Sequence, residues 1–253
     1  MIGKIVLSLP PTSDDCVVVA LPSFGHNLSI AFCRPGDKSW TFVESPGRYM
    51  SIEDVIHFKD QVFYAVCFRG TPVVAYDLAD LSSPKTYSLE ASFKFEPLSS
   101  LEKLMRGWWC DRCYLVESLG NLLWVRRFIS SNLDDENYFV YDHFARFPNK
   151  TVDFDVYRLD FARNTWECTK CIGDQALFLG KNQSFSLSAQ EFPNLKANRI
   201  YFTDDSSVHF NRPLYGGHDF GHHDIGCNPI FKNSKFGYQK ILPPPIWVMP
   251  NLQ

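Results

Sequence analysis

The feature that most constrains this chain is a strand grammar that recurs along it. Ile30-Ala-Phe-Cys33, Val73-Val-Ala-Tyr76 and Asp155-Val-Tyr-Arg-Leu159 are short strand-like runs, each entering a polar turn and leaving through another strand-like run. The turns are Arg34 to Ser39, Asp77 to Lys85 and Asp160 to Thr165, and the exits begin at Trp40, Thr86 and Trp166. A second pattern of strand, tight turn and strand runs from Asp54 to Val66 around Lys59-Asp60, from Tyr114 to Phe128 around Leu119-Gly-Asn121, and from Asp174 to Leu187 around Gly180-Lys-Asn182. Gly120-Asn121 is expected to supply the positive φ of its hairpin. A partial copy lies at Asp14-Asp-Cys-Val-Val-Val-Ala20. Four antiparallel strands in about 40 to 50 residues, punctuated by aromatics, are how a propeller blade reads in sequence, and the copies amount to about four blades.

Composition agrees with this reading. Phe, Tyr and Trp total 39 against 11 Ala, which favours pleated, half-buried surfaces over helices. The recurring aromatics, Tyr76 with Tyr157, Trp40 with Trp166 and Phe63 with Phe185, are expected to pack blade against blade. Ser99-Ser-Leu-Glu102 reads as a capping box before one short helix, and Ser188-Ala-Gln-Glu191 as a second helical turn ended near Pro193. Residues 130 to 150 read as a long surface loop. The expected fold is all-β, an incomplete β-propeller of about four blades with one or two short helices.

Charge and cysteine usage exclude more than they assign. A net charge of −3 gives no basic excess for phosphate contact, so nucleic acid is not an expected partner. The apolar start Ile5-Val6-Leu7 is too short for a signal-peptide core, and no stretch approaches the ~20 apolar residues of a bilayer span. The expectation is a cytoplasmic or nuclear protein with no membrane contact, reduced thiols and unused sequons at Asn27, Asn149 and Asn182. The Cys110/Cys113 and Cys168/Cys171 pairs raise a shared zinc site, but residues three apart on a strand point to opposite faces, and the pairs read as small buried hydrophobes.

From Tyr114 onward the chain resembles the plant KIB-type β-propeller family, usually F-box proteins. The matching stretches include Tyr114-Leu-Val-Glu-Ser, Phe154-Asp-Val-Tyr-Arg-Leu-Asp160, Gly173-Asp-Gln-Ala-Leu-Phe-Leu-Gly180, Phe192-Pro-Asn-Leu-Lys196, Asn198-Arg-Ile-Tyr-Phe-Thr-Asp-Asp205 and Pro243-Pro-Pro-Ile-Trp-Val248. Asp15-Cys-Val-Val-Val, Arg34-Pro-Gly-Asp37 and Trp40 also fit. The resemblance implies a non-catalytic, protein-binding propeller like the substrate-recognition part of a ubiquitin-ligase subunit, with a kinase or a ubiquitination substrate as partner. Nothing near Met1 resembles an F-box, so residues 1–253 are expected to form one N-terminally truncated propeller domain, and a Skp-type adaptor is a doubtful partner.

No catalytic residue and no cofactor are assigned. The candidate metal ligands are His218, His222, His223 and Cys227, since imidazole and thiolate suit zinc, but the family pattern Tyr215-Gly-Gly-His-Asp219-Phe-Gly221 makes His222 and His223 replacements of an ordinary strand pair. Asp153/Asp155 and Asp204/Asp205 are read as solvated acids or turn caps, and Arg126-Arg127 as a doublet with one Arg in solvent. Pro243-Pro-Pro245 is expected to lead into a last strand at Ile246-Trp-Val248. Two alternatives stay open: a zinc protein using the Cys pairs or the His218 cluster, and a small-molecule-acting propeller enzyme with acids at the channel mouth.

Overall fold

The computed structural model describes residues 2–22, 29–44, 52–67, 73–94, 110–130, 150–205, 219–226 and 246–248. They form a four-bladed, all-β propeller, and among them there is no helix. The Ser188 segment makes a single turn, with the Phe192 amide donating to Ser188 O, before Pro193. The Ser99 capping box and the Pro243 run lie outside the described residues, as does nearly all of the 130 to 150 loop.

The first sheet is β1 (Ile2–Leu7), β2 (Val18–Pro22), β3 (Ser29–Cys33) and β4 (Thr41–Glu44), and the second is β5 (Ile52–Lys59), β6 (Val62–Cys67), β7 (Val73–Asp77) and β8 (Lys85–Leu89). Both are plain antiparallel meanders. The third contains β10 (Cys110–Ser118), β11 (Asn121–Ser130), β12 (Lys150–Asp160) and β13 (Thr165–Cys168), with β9 (Ser92–Lys94) added parallel to β13. The fourth contains β14 (Gln175–Leu179), β15 (Phe185–Ser188), β16 (Arg199–Phe202) and β17 (Gly221–Asp224) in the order β15-β14-β16-β17, with β14 and β16 parallel.

The repeat grammar places these strands well, and two local readings are corrected. The β10–β11 hairpin turns on Leu119 and Gly120, both with positive φ, while Asn121 already pairs with Ser118 and donates its side-chain amide to Ser118 O and Leu119 O. The turn is thus one residue earlier than expected, because Asn121 serves better as a turn-bracing donor than as a turn residue. Ile246-Trp-Val248 is no strand: Trp247 inserts its ring against Phe178 and donates its indole N–H to Leu179 O at 2.8 Å.

Strand alternation gives each sheet two apolar faces, and adjacent sheets share them. Val6, Val19, Ile30 and Phe32 of the first sheet pack on Val55, Phe63, Val74 and Tyr76 of the second. Ile56 and Val66 of the second pack on Leu115, Trp124, Tyr157 and Trp166 of the third, where Trp124 stacks on Tyr157 with centroids 5.0 Å apart. Tyr114, Val125 and Val156 of the third pack on Leu177, Leu179 and Ile200 of the fourth. Tyr76, Tyr157, Phe63 and Trp166 therefore pack between blades as expected. Trp40 is 37% exposed, and Phe185 stacks on Phe178 within the fourth sheet, on the side away from the third. Trp40 stands just before β4 and not inside a strand, as Trp166 does in β13, so sequence likeness to Trp166 does not make it equivalent.

Candidate functional site at the inner strand edges

The strands β1, β5, β10 and β15 form successive contacts between sheets, so they line the inside of the array. Such a strand leaves every second amide on its inner edge without a ladder partner. The chain meets that demand at β10 with carboxylates from the next sheet. Register between β5 and β6 runs Ile52↔Cys67, then Asp54↔Val66, leaving Glu53 as a bulge residue. The bulge lets two consecutive side chains reach the same neighbour: Glu53 Oε2 accepts from Cys113 N at 2.9 Å, and Asp54 Oδ2 accepts from Leu115 N at 2.9 Å. Asp54 Oδ1 also accepts from Val55 N and from the Lys4 ammonium of β1, so one buried carboxylate joins three sheets.

These two acids differ electrostatically. Burial raises the Asp54 carboxyl, against the pull of Lys4 and the two amides. Burial pushes Glu53 up to about 7, with Arg112 and the Cys113 amide opposing the rise and Asp205 adding to it. The same burial, with Glu53 beside it, pushes the Cys67 thiol up to about 11 and leaves it inert. Glu53 and Arg112 are half-buried, not sealed, so this end of the inner strands presents ionisable groups drawn from the second, third and fourth sheets to solvent.

Behind this edge lies a sealed network. Arg127 of β11 is 1% exposed and donates through Nε to Thr151 Oγ1 (2.6 Å), through Nη1 to Thr203 O (2.8 Å) and Tyr114 Oη (3.1 Å), and through Nη2 to Asp219 Oδ2 (2.9 Å) and Asp219 O (3.0 Å). Its guanidinium lies over the Phe202 ring at 4.6 Å, and Tyr114 donates to Asp205 Oδ2 at 2.8 Å. A buried fork holding acceptors on both sides of a seam is the residue choice that fits a fixed, directional clamp. Arg127 clamps the third sheet to the fourth.

The candidate residues from sequence distribute differently from expectation. Neither member of the arginine doublet simply faces solvent: Arg127 is buried, and Arg126, half-buried, lies over Phe128 (5.0 Å) and Trp124 (5.8 Å). The paired acids are not solvated turn caps either. Asp153 and Asp204 are buried, Asp153 accepts from Phe154 N, and Asp205 belongs to the Tyr114–Arg127 network, because the first pair stands inside β12 and the second, just past β16, is enclosed against the third sheet. His222 and His223 are consecutive on β17, so they leave the strand on opposite sides. His223 packs on Phe154 with Nε2 3.6 Å from Asp153 Oδ1, and burial lowers its basicity; His222 lies by Tyr201. His218 and Cys227 lie outside the described residues. Cys113 is buried and Cys168 half-buried in one aromatic cluster, while Cys171 is exposed, its Sγ accepting from Gly173 N. Among the described residues no three His, Cys, Asp or Glu side chains are placed to hold a metal ion.

The Glu53-Asp54 doublet was missed by sequence reasoning, which took Asp54 only as the start of a strand. The signal was available in two adjacent acids leading an otherwise apolar inner strand. The motif residues near the C-terminal end, by contrast, have clear tasks. Asn198, in a left-handed conformation at φ 56, donates to Lys170 O and Ile225 O and accepts from Ile172 N, and Arg199 pairs with Asp224 at 2.6 Å.

Comparison with known proteins places this architecture. The KIB1-4 β-propeller family model matches residues 1–227. The F-box protein SKIP23 of Arabidopsis thaliana is 31% identical over 236 residues, which is 87% of this chain and 51% of the relative. The putative F-box protein At5g55150 of the same plant is 28% identical over 82% of the chain and 50% of its own length. The putative F-box/kelch-repeat protein At5g24040 is 24% identical over 88% and 52%. The chain thus spans about half the length of the curated relatives it matches, and the matched model is a propeller with no F-box shown in this chain. With its four sheets, its inter-sheet aromatic cores and a match across nine-tenths of its length, the chain belongs to the KIB1-4 β-propeller family.

Proposed function

We propose that this chain is a non-catalytic, protein-binding propeller that recognises a protein partner, such as a kinase or a ubiquitination substrate, in the cytoplasm or nucleus. The observation that carries the reading is the similarity across 87% of the chain to a relative named as an F-box protein, with the alignment falling on a propeller. The inner strand edge supplies the contact: Glu53 and Arg112 are half-buried and oppositely charged once pH rises above about 7, and Glu53 is held by a bulge that is part of the scaffold. A protein partner presenting its own charged side chain meets a preformed pair there, which favours specificity over raw affinity.

The test uses the whole chain as bait in a plant extract beside its Arg112→Glu variant. A specific protein recovered by the natural chain and depleted at least about tenfold by Arg112→Glu, equivalent to ~1.4 kcal/mol, is the expected result. Recovery of no specific protein overturns the binding role. Recovery of a Skp-type adaptor by this chain alone overturns the expectation that it does not dock the ligase scaffold.

A further inference from the structure

The turn between β7 and β8 carries a serine that the fold leaves unused. Its sequence is Leu78-Ala-Asp-Leu-Ser-Ser-Pro84. Asp77 Oδ1 accepts from Ala79 N at 3.1 Å, and Asp80 Oδ1 accepts from Ser82 N at 3.0 Å and from the Ser82 hydroxyl at 2.6 Å. Ser83 N donates to Asp80 O at 3.1 Å, which turns its main chain inward and leaves its side chain exposed. The Ser83 hydroxyl makes no hydrogen bond with any described residue, unlike that of Ser82. The turn itself is anchored at its base, where Leu78 N donates to Gln61 O and Leu81 packs on the seam between the first and second sheets.

The residue after Ser83 gives this free hydroxyl its meaning. Pro84 has no N–H and a fixed φ, and it costs the ladder nothing because pairing begins only at Lys85. An enzyme pocket that offers no acceptor beside the reacting hydroxyl selects proline at this position, since any other residue would bury an unpaired N–H there. The chain has three hydroxyl–proline pairs, Ser45-Pro46, Thr71-Pro72 and Ser83-Pro84, and the third is the one that lies among the described residues.

We propose that Ser83 is a phosphorylation site for a proline-directed protein kinase, with a nucleoside triphosphate as the phosphoryl donor. Ser83 Oγ forms the new bond to the γ-phosphorus, the bond from that phosphorus to the bridging oxygen breaks, and the nucleoside diphosphate leaves with the electron pair. The hydroxyl proton passes to a carboxylate of the kinase and then to solvent. A kinase takes its substrate extended, so the turn must open, and the bonds that open are local: Ser82 N, Ser82 Oγ and Ser83 N all end on Asp80. The ladder from Asp77↔Lys85 to Val73↔Leu89 stays intact. The product adds about −1.5 to −2 charge at pH 7, taking the chain from −3 to about −5, next to an Asp80 carboxyl that its bonds to Ser82 hold below the usual carboxylate range. Gln61 and Leu78 mark the hairpin end of β5, so this charge arises roughly 20 Å along the strand from Glu53. It is therefore independent of whatever the inner edge binds.

The experiment treats the purified full chain with MgATP and a mitogen-activated protein kinase, then reads intact mass and the modified peptide by mass spectrometry. One phosphoryl group per chain is expected, mapped to Ser83. Ser83→Ala is expected to lose it and Ser82→Ala to keep it, while Pro84→Ala lowers the initial rate at least about tenfold, with far-UV circular dichroism showing that each variant is folded. All three positions lie in the turn, outside the strands. A Ser83 that stays unmodified in the folded chain, phosphate confined to Ser45, Thr71 or Ser82, or a Pro84→Ala variant modified as fast as the natural chain each overturns the proposal.

Discussion

Asn198 does more for the fold than its size indicates. Its backbone sits in the left-handed region, its side chain makes three hydrogen bonds to residues 170, 172 and 225, and its main chain bonds Gln175 O and the Ile225 amide. Asparagine tolerates that φ better than alanine, so Asn198→Ala loses both the conformation and the bonds, while Asn198→Gly loses only the bonds. Urea unfolding is expected to show a cost of about 2–4 kcal/mol for Asn198→Ala and about 1 kcal/mol less for Asn198→Gly; equal costs would remove the conformational part of this account. Glu53 yields a pH prediction of definite sign. In the unfolded chain its carboxyl ionises near 4.5, whereas the fold holds the proton up to about 7. The folded state therefore binds more protons between those values, and the contribution to stability is full below pH 4.5 and drains away as pH rises through 7. Glu53→Gln keeps an oxygen for the Cys113 amide and never ionises. Its stability relative to the natural chain should rise by about 1–2 kcal/mol from pH 5 to pH 8, after allowing for the solvent that still reaches Glu53. A pH-independent difference removes the claim. The adjacent acids Glu53-Asp54 stood out in an otherwise apolar strand, whereas Asn198 was visible only as part of a motif, its three partners being brought together by the fold.

At the level of elements, hairpins were legible and sheet order was not. Alternating apolar residues state which side of a strand is buried, and short polar turns state which strands are joined, so β5–β6, β10–β11 and β14–β15 could be read directly. Alternation does not state which strand lies on the other side. The parallel pairing of β14 with β16 and of β9 with β13 rests on longer connections that carry no local signal. The β14–β16 contact is close at its end. A Cβ built on Gly180, just past β14, would stand 2.4 Å from Thr203 Oγ1, just past β16. Gly180→Ala is thus expected to push these strand ends apart, at a cost of about 1–3 kcal/mol in urea unfolding, the usual range for overpacking. Thr203→Ala removes the obstructing oxygen. In the double variant the cost of Gly180→Ala should fall by at least half, a coupling that a double-mutant cycle measures directly. Additive costs would mean that the Gly180 lesion acts elsewhere.

Across the whole molecule, the aromatic surplus that pointed to β-structure is spent mainly on seams between sheets. Trp124, Tyr157, Trp166 and Phe93 form one continuous set of ring contacts beneath the second sheet, and Phe154 and Phe202 meet across the third and fourth. That much follows from composition and periodicity. The charged clamp at Arg127 does not, because a sequence shows a basic pair on a strand and not the acceptors, from residues 114 to 219, that the fold gathers around it. Seams arranged in series make the molecule behave in part like a repeat array, whose stability is a sum of unit and neighbour terms. Arg127→Ala leaves Asp219 buried without its cation and removes the main polar link of the last seam, at an expected cost of about 3–5 kcal/mol. The consequence should be local. Hydrogen exchange at β14, β16 and β17 is expected to speed up by two to three orders of magnitude in Arg127→Ala, while β5, β6 and β7 keep their protection, because their aromatic and aliphatic seams do not involve the clamp. Arg127→Lys keeps a charge but not the fork, so it should fall between the two. If all four sheets lose protection together, the array unfolds as one unit and the serial description is wrong.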